Sequence, residues 1–165
     1  KDCNKILLQN EINELDFIIE KAYQNNRKVI FNPSPFTENL LTLPLSKISI
    51  LILNEIECQQ MGHSEDLPSA LKNILKQTPT IEILLTRGKD GVMYANQKIT
   101  QEFQAVKVEK PVDTTAAGDT FTGFFLGGLE KGFSTPDAIQ LGMKAAALCI
   151  QKKGAAESIP YFKDC

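Results

Sequence analysis

In Ile48-Ser49-Ile50-Leu51-Ile52-Leu53 only Ser49 interrupts an apolar run, and a strand of that composition cannot alternate a wet face with a dry one. Covering it on both faces is the condition of a parallel strand inside an α/β sheet. Other runs are spaced as such a sheet requires. Lys5 to Gln9 and Val29-Ile30-Phe31 read as strands, and between them Ile12, Leu15, Ile18, Ile19 and Ala22 recur at helical spacing. Asn25 and Asn26 stop that helix, and the two prolines of Asn32-Pro33-Ser34-Pro35 end the second strand. A helix from about Asp66 turns Leu67, Ala70, Leu71, Ile74 and Leu75 inward, and Ile81 to Leu85 is the next strand. Gly91 to Ala95 and Ile99 to Val108 read as a hairpin around Asn96-Gln97.

Two long helices follow. One opens near Gly118, the other at Ser134-Thr135-Pro136-Asp137, where Ser134 caps and Pro136 suits the first turn. Ala138, Leu141, Gly142, Ala145, Leu148 and Cys149 form the second helix's inward stripe, Lys152 and Lys153 complement its dipole, and Gly154 supplies a left-handed stop. The expected fold is α/β, an open and mostly parallel sheet flanked by helices, with an antiparallel edge hairpin.

The 165 residues suit one domain with a real core. A net charge of −2 without a basic cluster argues against nucleic acid as a partner. No run approaches the roughly 18 apolar residues of a membrane span, and the basic-then-apolar order of a secretion leader is absent, so a cytoplasmic location is expected. Cys3, Cys58, Cys149 and Cys165 lack metal-ligand spacing and have only His63 to assist them, so they read as reduced thiols. His63 itself reads as a surface or loop residue.

Open α/β sheets bind ligands beyond the carboxyl ends of their strands. Gln9 to Glu11, Asn32 to Pro35, Asn54 to Glu57, Thr86 to Gly88 and Asp113 to Asp119 stand there. Ala116-Ala117-Gly118 puts small residues before the apolar helix Phe121 to Leu129, so backbone N–H groups can converge on an anion at a positive helix end, and Gly118 permits a turn other residues resist. Asp119 beside that hole suits a general base taking a proton from an attacking hydroxyl. It suits a helix N-cap equally well.

Asp113-Thr114-Thr115-Ala116-Ala117-Gly118-Asp119-Thr120-Phe121 resembles the signature of the ribokinase family, the PfkB carbohydrate kinases. The resemblance implies that Asp119 is the catalytic base and that the amides of Ala116, Ala117, Gly118 and Asp119 form the anion hole. Phe124 departs from the small residue often found at its position. Asn54-Glu55-Ile56-Glu57 resembles the family's Asn-x-x-Glu motif, implying that Asn54 and Glu57 organise Mg2+, its waters and the nucleotide phosphates. Alone, Glu57 reads as a solvated carboxylate on a helix face. Thr86-Arg87-Gly88 is similar to the family's Thr-x-Gly nucleotide loop, although Gly88 to Gly91 is also what a simple turn looks like. Lys89 is no P-loop lysine, because Gly-x-x-x-x-Gly-Lys-Ser/Thr is absent.

Asp113 and the carbonyl of Thr115 resemble the family's monovalent-cation site, closed by backbone oxygens near Cys149, Lys152, Gly154 and Ser158, with K+ the expected ion. Gln9-Asn10-Glu11 and Asn32 to Phe36 resemble the ribokinase branch, which implies that Glu11 contacts a sugar hydroxyl. Read alone, Glu11 is an acid in a helix's first turn. The implied reaction is ATP-dependent phosphorylation of a sugar, D-ribose to ribose 5-phosphate. Fructose, a ketodeoxy sugar acid or a nucleoside are alternative acceptors within the family, and a non-catalytic nucleotide-binding module is the alternative outside it.

The resemblance covers residues 1–165 as the C-terminal part of one ribokinase-like α/β domain. The start at Lys1 without a methionine suggests a fragment lacking the N-terminal part, most of the sugar pocket and the β-sheet lid that commonly forms the homodimer contact. Weak or absent ribose phosphorylation by the chain alone is expected.

Overall fold

In the computed structural model, which describes residues 3–165, the first four strands pair in chain order and in parallel. They are β1 (Lys5–Gln9), β2 (Lys28–Asn32), β3 (Ile50–Asn54) and β4 (Glu82–Thr86). β5 (Val92–Ala95) and β6 (Thr100–Phe103) follow, giving a six-stranded sheet of order β1-β2-β3-β4-β5-β6 with an antiparallel edge. The expected α/β fold is the observed one. Lys1, on which the reading of an abrupt start rests, lies outside the described residues.

The chain divides into two compact units, residues 1–87 with 93–101 and residues 88–92 with 102–165. In the first, α1 (Leu15–Gln24), α2 (Glu55–Met61) and α3 (Leu67–Gln77) share a core with the strands. Val29, Phe31, Leu51, Leu53, Ile83 and Leu85 alternate along β2, β3 and β4 and join Leu15, Ile19, Cys58, Ala70 and Ile74 of the helices. The intervening Ile30, Ile52 and Leu84 are equally buried, which is the double-sided burial that the sequence of β3 demands. Each such side chain contributes about 1.5–3 kcal/mol relative to exposure. Desolvation pushes the Cys58 thiol up to about 12, with the charge of Glu55 adding to the effect.

Local chemistry sets most boundaries of this unit. Asn25 Nδ2 donates to the Lys21 carbonyl at 2.7 Å and Asn26 takes φ 55°, so the asparagine pair ends α1 as expected. Asp66 caps α3 by accepting the Ser69 N–H at 3.0 Å. Asn96 Oδ1 accepts the Lys98 and Ile99 N–H groups at the hairpin tip. Two expectations change. Ile12 lies outside α1, half exposed in a turn, because the helix opens only at Leu15. The second hairpin strand stops at Phe103 rather than Val108.

The second unit is built on α4 (Ala117–Glu130) packed against α5 (Thr135–Cys149). Ser134 caps α5, its hydroxyl accepting the Asp137 N–H at 3.3 Å. Ala138, Gly142, Ala145 and Cys149 are buried as the pattern requires, and so are Ile139 and Ala147. Gly154 is left-handed, with φ 103°, but is not the helix stop. α5 ends at Cys149 with Ile150 as C-cap, and the conformation of Gly154 serves the loop beyond. Phe124 stacks on Phe162 with ring centroids 6.1 Å apart, so the aromatic residue at this position holds the chain's C-terminal turn.

Gly142 governs how near the two helices come. A Cβ there would lie 2.8 Å from both a ring carbon and the carbonyl oxygen of Phe121. The ring can shift, whereas the carbonyl belongs to α4. Gly142→Ala should therefore destabilise the protein by about 1–3 kcal/mol, the usual range for overpacking, read as a lower urea midpoint at unchanged m-value. A midpoint equal to that of the unsubstituted protein would show that the helices separate at no cost.

Candidate active site

In the first unit the residues expected to be functional stand where parallel strands end. β3 and β4 pair in register through Asn54↔Thr86, so the residues just after each emerge side by side. Asn54 and Glu57 form a capping box at the start of α2. Asn54 Oδ1 accepts the Glu57 N–H, and Glu57 Oε2 accepts the Asn54 N–H, both at 2.9 Å. Glu57 is only 6% exposed, so it is not a solvated carboxylate. The box fixes its rotamer and commits one oxygen, and the other plays no part in the box. Thr86 Oγ1 donates to the Leu53 carbonyl at 3.3 Å. Arg87 Nε lies 3.5 Å from Glu55 Oε1, joining the residues that immediately follow the register pair.

Glu11 is exposed in the turn after β1 and does not belong to the first turn of α1. Asn10 is the residue that organises this corner. Its N–H donates to the Ser34 carbonyl at 3.3 Å, and its Nδ2 donates to the Pro35 carbonyl at 2.6 Å and to Thr37 Oγ1 at 3.0 Å. The loops after β1 and β2 are thereby tied together. The sequence marks Asn10 only as part of a motif, because its partners are more than twenty residues away.

In the second unit Asp119 is exposed in the first turn of α4 and is not its N-cap. Ala116 holds the cap position without any side-chain bond, which removes the capping explanation for Asp119. The Ala117 N–H donates to the Thr114 carbonyl at 3.2 Å, whereas Gly118 donates to no backbone carbonyl among the described residues. Gly118 lies inside α4, outside the left-handed region. It is not needed for a turn. What its missing side chain provides is room, since a Cβ there would meet nothing within 4 Å. Gly88, by contrast, is left-handed at φ 53° and open on its Cβ side, so the requirement there is conformational.

Asp113 braces this unit across a sequence separation of 41. One carboxylate oxygen accepts the Thr115 N–H and hydroxyl at 3.0 and 2.6 Å, and the other accepts the Gly154 N–H at 3.1 Å. Beside it, the N–H groups of Val112 and Asp113 share the Ile150 carbonyl. The Thr115 hydroxyl and amide, then the Gly154 amide, hold the Asp113 carboxyl below the usual carboxylate range. The Cys149 carbonyl accepts the Lys152 N–H at 3.1 Å, and buried Ser158 bonds Cys149 Sγ at 3.0 Å and the Ala155 carbonyl at 2.7 Å. The residues expected around a monovalent cation thus gather in one braced loop. Among the described residues no three His, Cys, Asp or Glu side chains cluster to cage a metal ion, and no helix is long and apolar enough to cross a membrane. All four cysteines are free thiols.

Residues 7–161 match the pfkB family carbohydrate kinases. The chain belongs to that family. Ribokinase of Lactococcus lactis is 36% identical over 167 residues, covering 99% of this pfkB-family chain and 53% of that relative. Adenosine kinase of Saccharomyces cerevisiae is 28% identical over 162 residues, covering 87% of this chain and 48% of that protein. The crystal structure of ribokinase from Cryptococcus neoformans var. grubii serotype A in complex with ADP superposes with a TM-score of 0.87 at 29% identity, covering 98% of this chain and 58% of that one. The chain spans about half the length of the curated pfkB-family relatives it matches.

The depressed pKa of Asp113 gives a pH signature. Its unfolded counterpart titrates near the usual Asp value of about 3.9, so its stabilising contribution is present above that value and is lost as pH falls through the lower folded pKa. The gap in urea midpoint between the unsubstituted chain and Asp113→Asn should stay constant from pH 7 to about 5 and shrink in the acid limb. A gap that widened on acidification would contradict the bonding described.

Proposed function

We propose that the parent protein transfers the γ-phosphoryl group of ATP to a primary hydroxyl of a sugar, with D-ribose as acceptor and ribose 5-phosphate as product. The observation that carries this is the first turn of α4, where Asp119 stands next to a glycine with open space before it and an N–H that no backbone carbonyl among the described residues accepts. Amides of that turn hold the transferring phosphoryl group, and the positive end of α4 favours the charge that gathers on its oxygens. Gly118 is central to that hole, with Ala116, Ala117 and Asp119 completing it. Asp119 accepts the proton of the sugar hydroxyl as its oxygen attacks phosphorus, a contribution of about 10²–10⁴ in rate. Glu11 contacts another hydroxyl of the sugar. Thr86 and Gly88 serve the nucleotide, as does Asn54. Residues 1–165 form the C-terminal part of one α/β domain whose remaining part supplies the sugar pocket and a homodimer contact.

Glu57 fits a role with Mg2+. It is a hard oxygen donor, buried and rigid, and with no cage of His, Cys, Asp or Glu side chains among the described residues the ion would be held mainly by phosphate oxygens and water, as Mg2+ prefers. Bound there, Mg2+ would neutralise polyphosphate charge. The loop that Asp113 braces fits K+, offering an ionised carboxylate with the carbonyl of Thr115 and backbone oxygens near Cys149, Lys152, Gly154 and Ser158. K+ there would support the conformation of the segment leading into α4.

The similarity to both a ribokinase and an adenosine kinase sets the range of acceptors to test. In the complete protein, Asp119→Asn should lower kcat by about 10²–10⁴ with ATP affinity within about twofold of the unsubstituted enzyme, measured as ADP release over a panel of ribose, fructose, ketodeoxy sugar acid and nucleoside. Near-normal turnover by that variant would remove Asp119 from the chemistry. Release with another acceptor and not with ribose would move the substrate.

A further inference from the structure

We infer that Asn10 is the positioning residue for Glu11, setting the place of its carboxylate at the acceptor sugar by clasping the loop that follows β2. The inference rests on the kinase reading above, in which Glu11 contacts a sugar hydroxyl, and adds to it the group that fixes that contact.

β1 and β2 pair in register as far as Gln9↔Asn32, and the ladder ends there. From Glu11 to Asn13 no backbone group takes part in a backbone hydrogen bond among the described residues, and no side chain caps α1 at Glu14. Glu11 itself is exposed. In hydrogen bonds, therefore, the one anchor of the turn that carries Glu11 is its chain neighbour Asn10.

The loop that Asn10 grips explains why an amide stands there. Pro33 and Pro35 have no N–H to give, and the Ser34 N–H is taken by Asn32 Oδ1 at 2.9 Å. What this loop presents is acceptors. Asn10 meets three of them with its three N–H bonds, the backbone N–H on the Ser34 carbonyl and the two of Nδ2 on the Pro35 carbonyl and Thr37 Oγ1. A carboxylate in its place would set oxygen against oxygen at Pro35. Bonds between surface groups of this kind contribute modestly to stability, but they bind two loops where paired strands would otherwise part. The corner lies at the carboxyl ends of β1 and β2, where open α/β sheets receive ligands. β3 and β4, whose ends carry the residues proposed for the nucleotide, stand farther along the sheet, so the clasp should serve the sugar and leave ATP unaffected.

The experiment uses the complete protein with D-ribose as the varied acceptor and follows ADP release. It compares Asn10→Ala, Asn10→Gln, Thr37→Val, Glu11→Ala and the double variant Asn10→Ala with Glu11→Ala against the unsubstituted enzyme. Asn10→Ala should raise KM for ribose about tenfold, as loss of a charge-assisted bond would, with KM for ATP within about twofold. Asn10→Gln keeps the amide on a longer stem and should restore part of the loss. Thr37→Val removes one acceptor and should cost less than Asn10→Ala. The double variant separates positioning from general support. If Asn10 acts through Glu11, losing Asn10 after Glu11 adds less than about twofold, whereas a loop weakened in general costs the same in either background. Thermal melts that match the unsubstituted protein exclude a folding defect, and Thr37→Val carries the test if Asn10→Ala melts early. An unchanged KM for ribose in folded Asn10→Ala beside a raised one in Glu11→Ala would overturn the inference and leave the role of Glu11 standing, as would full additivity in the double variant. A normal KM for ribose in Glu11→Ala, or no ribose-dependent ADP release by the unsubstituted protein, would instead sink the reading beneath it and the inference with it.

Discussion

The pairing of β3 with β4 over five consecutive residue pairs, ending at Asn54↔Thr86, is the constraint on which the first unit depends. Parallel pairing aligns the carboxyl ends of neighbouring strands, and burial of alternate residues in opposite directions fixes the register, because a slip of one residue would exchange the faces of Leu51, Ile52 and Leu53. With the register set, the residues that leave the sheet have no freedom in where they emerge. Asn54, Glu55, Thr86 and Arg87 meet because hydrophobic side chains several residues earlier cannot be placed otherwise.

A corresponding logic holds in the second unit, with polar bonds in place of apolar packing. Asp113 gathers donors from Thr115 and Gly154, and the Ile150 carbonyl takes two more. These bonds join the segment entering α4 to the loop leaving α5, while Gly142 lets the two helices close on Phe121. The first turn of α4 is thus held both where the chain enters it and from the side. The proton acceptor proposed at Asp119 needs such a mounting, since small displacements of reacting groups cost rate steeply.

Much of this is legible in the sequence. Continuous apolar runs announced parallel strands, asparagines and a Ser-Thr-Pro-Asp sequence marked helix ends, and the nine residues from Asp113 to Phe121 carried the family. What escaped were relations between residues distant in sequence or differing only in degree. Ile12 has the right spacing for α1, yet periodicity does not say where a helix begins, and the chain turns until Leu15. Gly154 looked like a helix stop because glycine after a helix usually is one, whereas its left-handed backbone turns its amide toward Asp113. Glu57 looked solvated because composition does not reveal that a cap will bury it. The tie made by Asn10 spans strands that only the assembled sheet brings together.

Cys58 lies beneath this corner, one residue after Glu57, with its thiol fully enclosed and its ionisation pushed to about 12. Since the thiolate is the reactive form, the native fold keeps Cys58 chemically silent at physiological pH. Any alkylation must wait for α2 to lift away from the strands, so the labelling rate of this one sulfur counts the openings of the first unit. The protein carries within its own sequence a clock for the breathing of the scaffold that mounts Asn54 and Thr86.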